Sequence, residues 1–248
     1  MSKKLAIHSY RGGTGKSNIA ANMAAVLASD GARVGVVDTD IQSPGINVLF
    51  GREELSGRTL NDYLWGECKL EEAVLDVTDR LGTTSGKLWL LPSSLELGKI
   101  TRVIKEGYDV GVLNEGFNEM IRFFKLDYLV VDTHPGLNEE TLLSLAISDV
   151  SLVVLRADNQ DYLGTSVTVE VARKLEVRDM RLVLNMVPDS FDENQVKAKV
   201  QSTYGCPCAQ VFGHYPAVRA MASQGLVALR QPDEEFSRRL RALTAAVR

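Results

Sequence analysis

Residues 10–17 read Tyr10-Arg11-Gly12-Gly13-Thr14-Gly15-Lys16-Ser17, and this stretch decides the fold. An expected strand, Leu5 to Ser9, leads into it, and Asn18-Ile19-Ala20-Ala21-Asn22-Met23-Ala24 opens a helical pattern directly after. Strand, glycine turn and helix is the context that phosphate binding requires. Glycines let the backbone turn tightly and aim successive N–H groups at phosphate oxygens, and the following helix adds the positive end of its dipole. In such a loop Gly12, Gly13, Thr14 and Gly15 cradle a triphosphate, Lys16 neutralises its β and γ groups, and Ser17 offers a hydroxyl to Mg²⁺. Asn18, in the first turn of the helix, joins the candidate nucleotide contacts. The general pattern has glycine at position 10, where this chain has Tyr10.

Outward from the loop, short β-branched runs alternate with stretches of helical period. That rhythm predicts βαβ crossovers, hence a three-layer α/β fold with a mostly parallel central sheet and helices on both faces. Strands are expected at Leu5–Ser9, Arg33–Asp38, Leu88–Pro92, Tyr128–Asp132, Leu152–Arg156, Arg181–Asn185 and Ala209–Phe212. Leu129-Val130-Val131 and Leu152-Val153-Val154-Leu155 are apolar without alternation, as strands covered on both faces are, so they belong mid-sheet. Helices are expected at Lys16–Ser29, Leu113–Phe124, Glu139–Ser148, Thr165–Leu175, Asn194–Tyr204 and Glu235–Val247. Residues 43–87 read as an excursion of loops, with helical turns at Thr59–Trp65 and Leu70–Leu75.

Bulk composition sets the frame. With 248 residues, 45% of them hydrophobic, the chain has material for one substantial core, and residues 1–248 are expected to form a single nucleotide-binding domain. The 28 basic and 32 acidic side chains leave a net charge of −4, too small and of the wrong sign to draw the whole molecule to nucleic acid or anionic lipid. Three cysteines are too few for a disulfide framework, which points to a reduced, cytoplasmic setting. Neither a signal-peptide core nor an apolar run near the ~20 residues of a membrane span is legible.

Two acidic segments complete the candidate site. Val34-Gly35-Val36-Val37 ends in Asp38-Thr39-Asp40, which places both carboxylates at the carboxyl edge of the sheet, where open α/β sheets bind ligands. Asp38 and Asp40 are expected to have different jobs. Tyr128-Leu129-Val130-Val131-Asp132 is an apolar strand closing on an acid, which suits Asp132 to hold magnesium through water. His134, in the polar segment that follows, is expected to be solvated.

The loop Arg11–Ser17 resembles the Lys-Gly-Gly-x-Gly-Lys-Ser/Thr variant of the ParA/MinD family of dimeric ATPases at six of seven positions. The departure is Arg11 in place of the leading lysine, which in that family reaches across the dimer to the partner's phosphates. Arginine keeps its charge and grips phosphate bidentately, so Arg11 is a candidate arginine finger. The resemblance implies that Lys16, Asp40 and Arg11 serve hydrolysis, with Asp40 positioning the attacking water. By the same resemblance Asp38 supports the shell of a Mg²⁺ held by Ser17 and Asp132, and the Gly136 N–H senses the γ-phosphate. Asn185, closing Leu182-Val183-Leu184, would hydrogen-bond adenine, and Pro216, in the loop Val211–Val218, would lie against the base. His134 stands where relatives commonly carry proline.

What the resemblance implies is a Mg-ATP-dependent switch that forms a homodimer with ATP, hydrolyses slowly under a stimulating partner protein, and positions or partitions a cargo. MinD proteins add a carboxyl-terminal membrane anchor, and ParA proteins bind DNA non-specifically, so nucleoid and inner membrane are the candidate working surfaces. Phe236, Leu240, Leu243 and Val247 share one helical face, which suits either lipid or, as the many alanines favour, docking on the sheet. Arg219, Arg230, Arg238, Arg239 and Arg241 would be the cations for DNA, with Asp233, Glu234 and Glu235 among them. Two further readings stay open. One is an iron–sulfur carrier of the nitrogenase iron protein or Mrp type, for which Cys206-Pro207-Cys208 is the relevant pair, although scaffold proteins use Cys-x-x-Cys. The other is a nucleotide-binding adaptor that does not hydrolyse.

Overall fold

The computed structural model describes residues 2–221 and 223–248. Its strands are β1 (Lys3–His8), β2 (Arg33–Asp38), β3 (Leu75–Asp76), β4 (Lys87–Leu91), β5 (Tyr128–Asp132), β6 (Val150–Arg156), β7 (Met180–Val187) and β8 (Cys208–Gly213). Between β1 and β5 run α1 (Lys16–Ser29), α2 (Ile46–Leu49), α3 (Leu60–Leu64), α4 (Leu70–Ala73), α5 (Leu97–Glu106) and α6 (Val110–Phe124). After β5 come α7 (Glu139–Ile147), α8 (Asn159–Lys174), α9 (Glu193–Tyr204), α10 (Pro216–Ala220), α11 (Val227–Arg230) and α12 (Glu235–Ala246). The strands join one sheet in the order β3-β4-β2-β5-β1-β6-β7-β8, parallel except for β3 against β4.

The topology positions the site. Leaving β1 the chain moves to β2 on one side, and leaving β6 it moves to β7 on the other, so the middle of the sheet is a topological switch point. In register, Asp132 of β5 pairs with Ile7 of β1 and with Asp38 of β2. Three strand ends therefore deliver their loops to one place.

One face of the sheet is covered by α1, α11 and α12. Helix α1 buries Ile19, Met23 and Leu27 with an alanine row from Ala20 to Ala28, whose small side chains let it lie close to the strands. Phe236, Leu240, Leu243 and Val247 are buried in the same cluster, so the apolar face of α12 is spent on the core and not left for lipid. The other face is covered by α6, whose Leu113, Phe117 and Met120 pack on β2 and β5, and by α8 and α9 over β6 to β8. Gly35 matters here, since a Cβ on it would press into Met120 and Leu126. Among the described residues no helix is long and apolar enough to cross a membrane.

Strands β2 and β5 run as the sequence predicts, and the rest differ by a few residues at their ends. Helix α8 begins at Asn159 and not at Thr165, because Asp158 caps it by accepting from the Gln160 and Asp161 N–H groups. Among the elements outside the expectations, which also include the short helices α2, α10 and α11, two bear on the architecture. Strand β3 is two residues long and gives the sheet an antiparallel edge, and α5 is an amphipathic helix with only Val103 fully buried.

Candidate functional site

The loop between β1 and α1 turns through Gly13 (φ 76°) and Gly15 (φ 87°), a left-handed conformation that costs glycine nothing. A Cβ on Gly15 would also strike the Asn185 amide, whereas Gly12 and Gly13 face open space. Gly12, Gly13, Thr14, Gly15, Lys16, Ser17 and Asn18 line one cleft, with Ser9, Asp40, Ser43 and Pro135 across from them.

At its floor Lys16 Nζ donates to Asp132 Oδ1 at 2.9 Å, and both side chains are buried. Burial alone would pull the Lys16 pKa down, but Asp132, Asp40 and Asp38 outweigh it and the net shift is upward. Asp38 is fully buried beside them. Its desolvation, and then the charge of Asp132, push its carboxyl well above the usual range. Both Asp38 oxygens are engaged by backbone, Oδ1 accepting from the Asp40 N–H at 3.0 Å and Oδ2 from the Gly45 N–H at 3.3 Å. Asp38 thus holds the 38–45 loop through its backbone, while Asp40 lines the cleft.

His134 corrects the expectation of a solvated side chain. It is 19% exposed, and its Nδ1 lies 2.6 Å from Asp40 Oδ1. The sheet register brings the two together, since Asp40 and His134 each lie two residues beyond the paired Asp38 and Asp132. His8, by contrast, was not singled out by the sequence. The Thr133 hydroxyl donates to the Ile7 carbonyl at 3.2 Å, so it accepts from His8 Nδ1 at 2.9 Å and leaves the buried Nε2 without a partner. Burial first, then the nearby Lys16 and His134, push the His8 pKa down to about 3, so it is neutral.

Arg11 lies beside the cleft, not in its lining. Its guanidinium pairs with Asp161 Oδ1 at 3.3 Å and Asp158 Oδ1 at 3.8 Å on the first turn of α8. Tyr10, the departure from the general loop pattern, lays its ring on Gly164 of that helix, where a Cβ would collide with it. The Gly136 N–H donates to the Ser9 carbonyl at 3.1 Å, tying the segment after β5 to the start of the phosphate loop.

A second cavity opens on the far side of Gly15 and Asn18, lined by Asn185, Met186, Gly213, His214, Tyr215, Val218, Arg219 and Phe236. Asn185 donates its amide to the Thr14 carbonyl at 2.7 Å, fastening this cavity to the phosphate loop. Pro216 is exposed at the start of α10 and is not among the lining residues; Tyr215 and Val218 make that wall.

The residues fit a magnesium nucleotide. The Thr14 hydroxyl is buried in the loop without a partner. Among the described residues no three His, Cys, Asp or Glu cluster closely enough to hold a metal by themselves. Ser17 and Asp132 are the residues that would hold Mg²⁺, an ion that takes one or two protein ligands and completes its shell with water and phosphate oxygens. Cys206 and Cys208 are both buried at the start of β8, and Cys68 lies elsewhere. The surface cations are largely committed: Arg239 to Glu193 and Glu235, Arg238 to the Asp233 carbonyl, and Arg241 to the Ala228 carbonyl.

A glycine loop entering a helix, a buried lysine–aspartate pair beneath it and a second carboxylate on the wall define a P-loop nucleotide-binding protein. The chain belongs to the ParA family, whose description is NUBPL iron-transfer P-loop NTPase and whose match spans residues 1–246. An uncharacterized ATP-binding protein of Methanocaldococcus jannaschii is 27% identical over 227 residues, covering 91% of this chain and 79% of its own length. The flagellum site-determining protein YlxH of Helicobacter pylori is 31% identical over 185 residues, covering 75% of this chain and 58% of its own length. The fold is that of MinD from Pyrococcus horikoshii, solved with Mg-ADP, at a TM-score of 0.82 and 21% identity over 100% of this chain and 96% of that one.

Proposed function

We propose that the chain acts as one nucleotide-binding domain, a Mg-ATP-dependent switch that dimerises around two nucleotides, hydrolyses ATP slowly and positions a cargo inside the cell. The observation that carries the reading is the buried Lys16–Asp132 pair at 2.9 Å beneath the glycine loop. A lysine held there meets the β and γ phosphates as they enter, and Asp132 with Ser17 is then available to Mg²⁺, which supplies charge neutralisation.

Hydrolysis would join a water oxygen to the γ-phosphorus as the bond to the β–γ bridging oxygen breaks, giving ADP and phosphate. The chain's part is to place and stabilise charge, with no covalent intermediate. Asp40 orients the water, and Arg11 reaches the partner's phosphates once it leaves Asp161. Gly136 senses the γ-phosphate when its N–H leaves the Ser9 carbonyl. The adenine would sit in the cavity of Asn185 and Tyr215, held by the Asn185 amide. ATP-binding relatives and a site-determining relative support this reading. The direct test is hydrolysis by the purified protein, with light scattering of Asp40→Ala in ATP. A protein that stays monomeric sinks the dimer.

The family's iron-transfer description favours one other reading, an iron–sulfur carrier. Against it, Cys206 and Cys208 are buried and one residue apart. Anaerobic purification decides the matter: a brown, iron-containing protein would reverse the order of the two readings.

A further inference from the structure

We infer that His134 is a positioning residue that fixes the Asp40 carboxylate with one oxygen turned toward the phosphate cleft, an inference that rests on the hydrolysis reading above. The pairing follows from the sheet. Strands β2 and β5 are neighbours with Asp38 opposite Asp132, and the loops leave them in step, so that two residues on Asp40 meets His134. A carboxylate oxygen only accepts, so the shared proton sits on His134 Nδ1. At 2.6 Å the two atoms are in direct hydrogen-bond contact.

Asp40 Oδ1 also accepts from the Ser43 N–H at 3.2 Å, so this one oxygen is held from both sides. The other, Oδ2, has no hydrogen-bond partner among the described residues, and Asp40, 13% exposed, is on the cleft wall whereas His134 is not. His134 therefore acts through Asp40 and not on the phosphates. It is itself anchored, because its carbonyl accepts from the Thr141 hydroxyl of α7 at 3.1 Å. With both loops mostly buried at this contact, the carboxylate cannot turn about its last torsion without losing two hydrogen bonds. An Asp40 carboxylate that rotates freely presents the wrong oxygen, or none, to the attacking water, and misplacement of this size costs about 10- to 100-fold in rate.

The test compares wild type, His134→Ala, His134→Asn, Asp40→Ala and the double alanine variant for ATP turnover and for affinity toward a non-hydrolysable ATP analogue, with circular dichroism as the check on folding. The Nδ2 of asparagine falls close to the Nδ1 of histidine, so that variant retains the donor. Expected is a loss in kcat of about tenfold or more for His134→Ala with affinity within about twofold, recovery of most of the rate in His134→Asn, and no further loss when His134→Ala is added to Asp40→Ala. A folded His134→Ala that turns over like wild type overturns the assignment, as does an alanine effect that survives in the Asp40→Ala background. A wild-type protein that binds the analogue and does not hydrolyse ATP overturns the hydrolysis reading itself, a different result from either.

Discussion

Arg11 Nη1 lies 3.3 Å from Asp161 Oδ1, so the cation that leads the phosphate loop is anchored on the first turn of α8. The two partners are unequal. Asp161 is 2% exposed and also accepts from the Arg156 backbone N–H at 2.9 Å and from its Nε at 3.1 Å, whereas Arg11 is 38% exposed. Removing the buried acceptor strands several donors, so Asp161→Ala should cost about 2–4 kcal/mol in a denaturant titration. Arg11→Ala should cost about 0–1 kcal/mol, as a half-exposed ion pair does, while abolishing the proposed ATP-dependent dimer, with light scattering as the measurement. A large loss of stability from Arg11→Ala would make the residue a structural brace first.

Gly15 sits under Asn185, whose amide donates to the Thr14 carbonyl at 2.7 Å. Its φ of 87° is left-handed, and a methyl group there collides with that amide. Gly15→Ala should therefore deform the loop at the junction of the phosphate cleft and the second cavity. Titration with a fluorescent ATP analogue is expected to show affinity weakened about tenfold or more, with far-ultraviolet circular dichroism unchanged. Equal affinity in the variant would show that the loop absorbs the strain.

How much of this was legible in the sequence depends on range. The phosphate loop is contiguous, its glycines are demanded by local backbone geometry, and β2 and β5 are apolar runs closing on acids, so all three could be read directly. The pairing of Asp40 with His134 could not, because it depends on which strand lies beside which. The chain order gives β5 as a neighbour of neither β1 nor β2, yet it lies between them. Asp158 and Asp161 were missed for another reason: Gly164, expected to precede α8, is inside it, where the Tyr10 ring needs a residue without a side chain. Helix α5 was missed even though it is amphipathic; of its ten residues only Val103 is buried, so it adds little to the core.

Leu240 decides between a core helix and a membrane anchor at the carboxyl terminus. Its side chain is fully buried in the cluster that also holds Phe236, Leu243 and Val247. Leu240→Ala should lower stability by about 2–5 kcal/mol through the cavity it leaves. Sedimentation with anionic vesicles should be the same for both proteins. A variant of native stability that loses vesicle binding would mean that α12 leaves the sheet for lipid.

Asp62 supplies a pH dependence of known sign. It caps α3 by accepting from the Thr59 N–H and hydroxyl, both at 2.8 Å, and pairs with Lys99 at 2.9 Å and Arg58 at 3.2 Å. Desolvation would raise its pKa, but the bonds from Lys99 and Thr59 together outweigh it, and the net shift is downward from 3.8. A carboxyl whose folded pKa is depressed binds its proton more readily in the unfolded chain. Its contribution is therefore complete above about pH 4, the unfolded value, and is lost as pH falls through the lower, folded one. Asp62→Asn keeps an acceptor oxygen but no charge, so the variant should be less stable than wild type at pH 7 by about 1–3 kcal/mol, and the gap should narrow below pH 4. Denaturant titrations of both proteins at pH 7 and near pH 3 measure this directly, and a gap that is constant across that range would mean the cap works through shape and not charge.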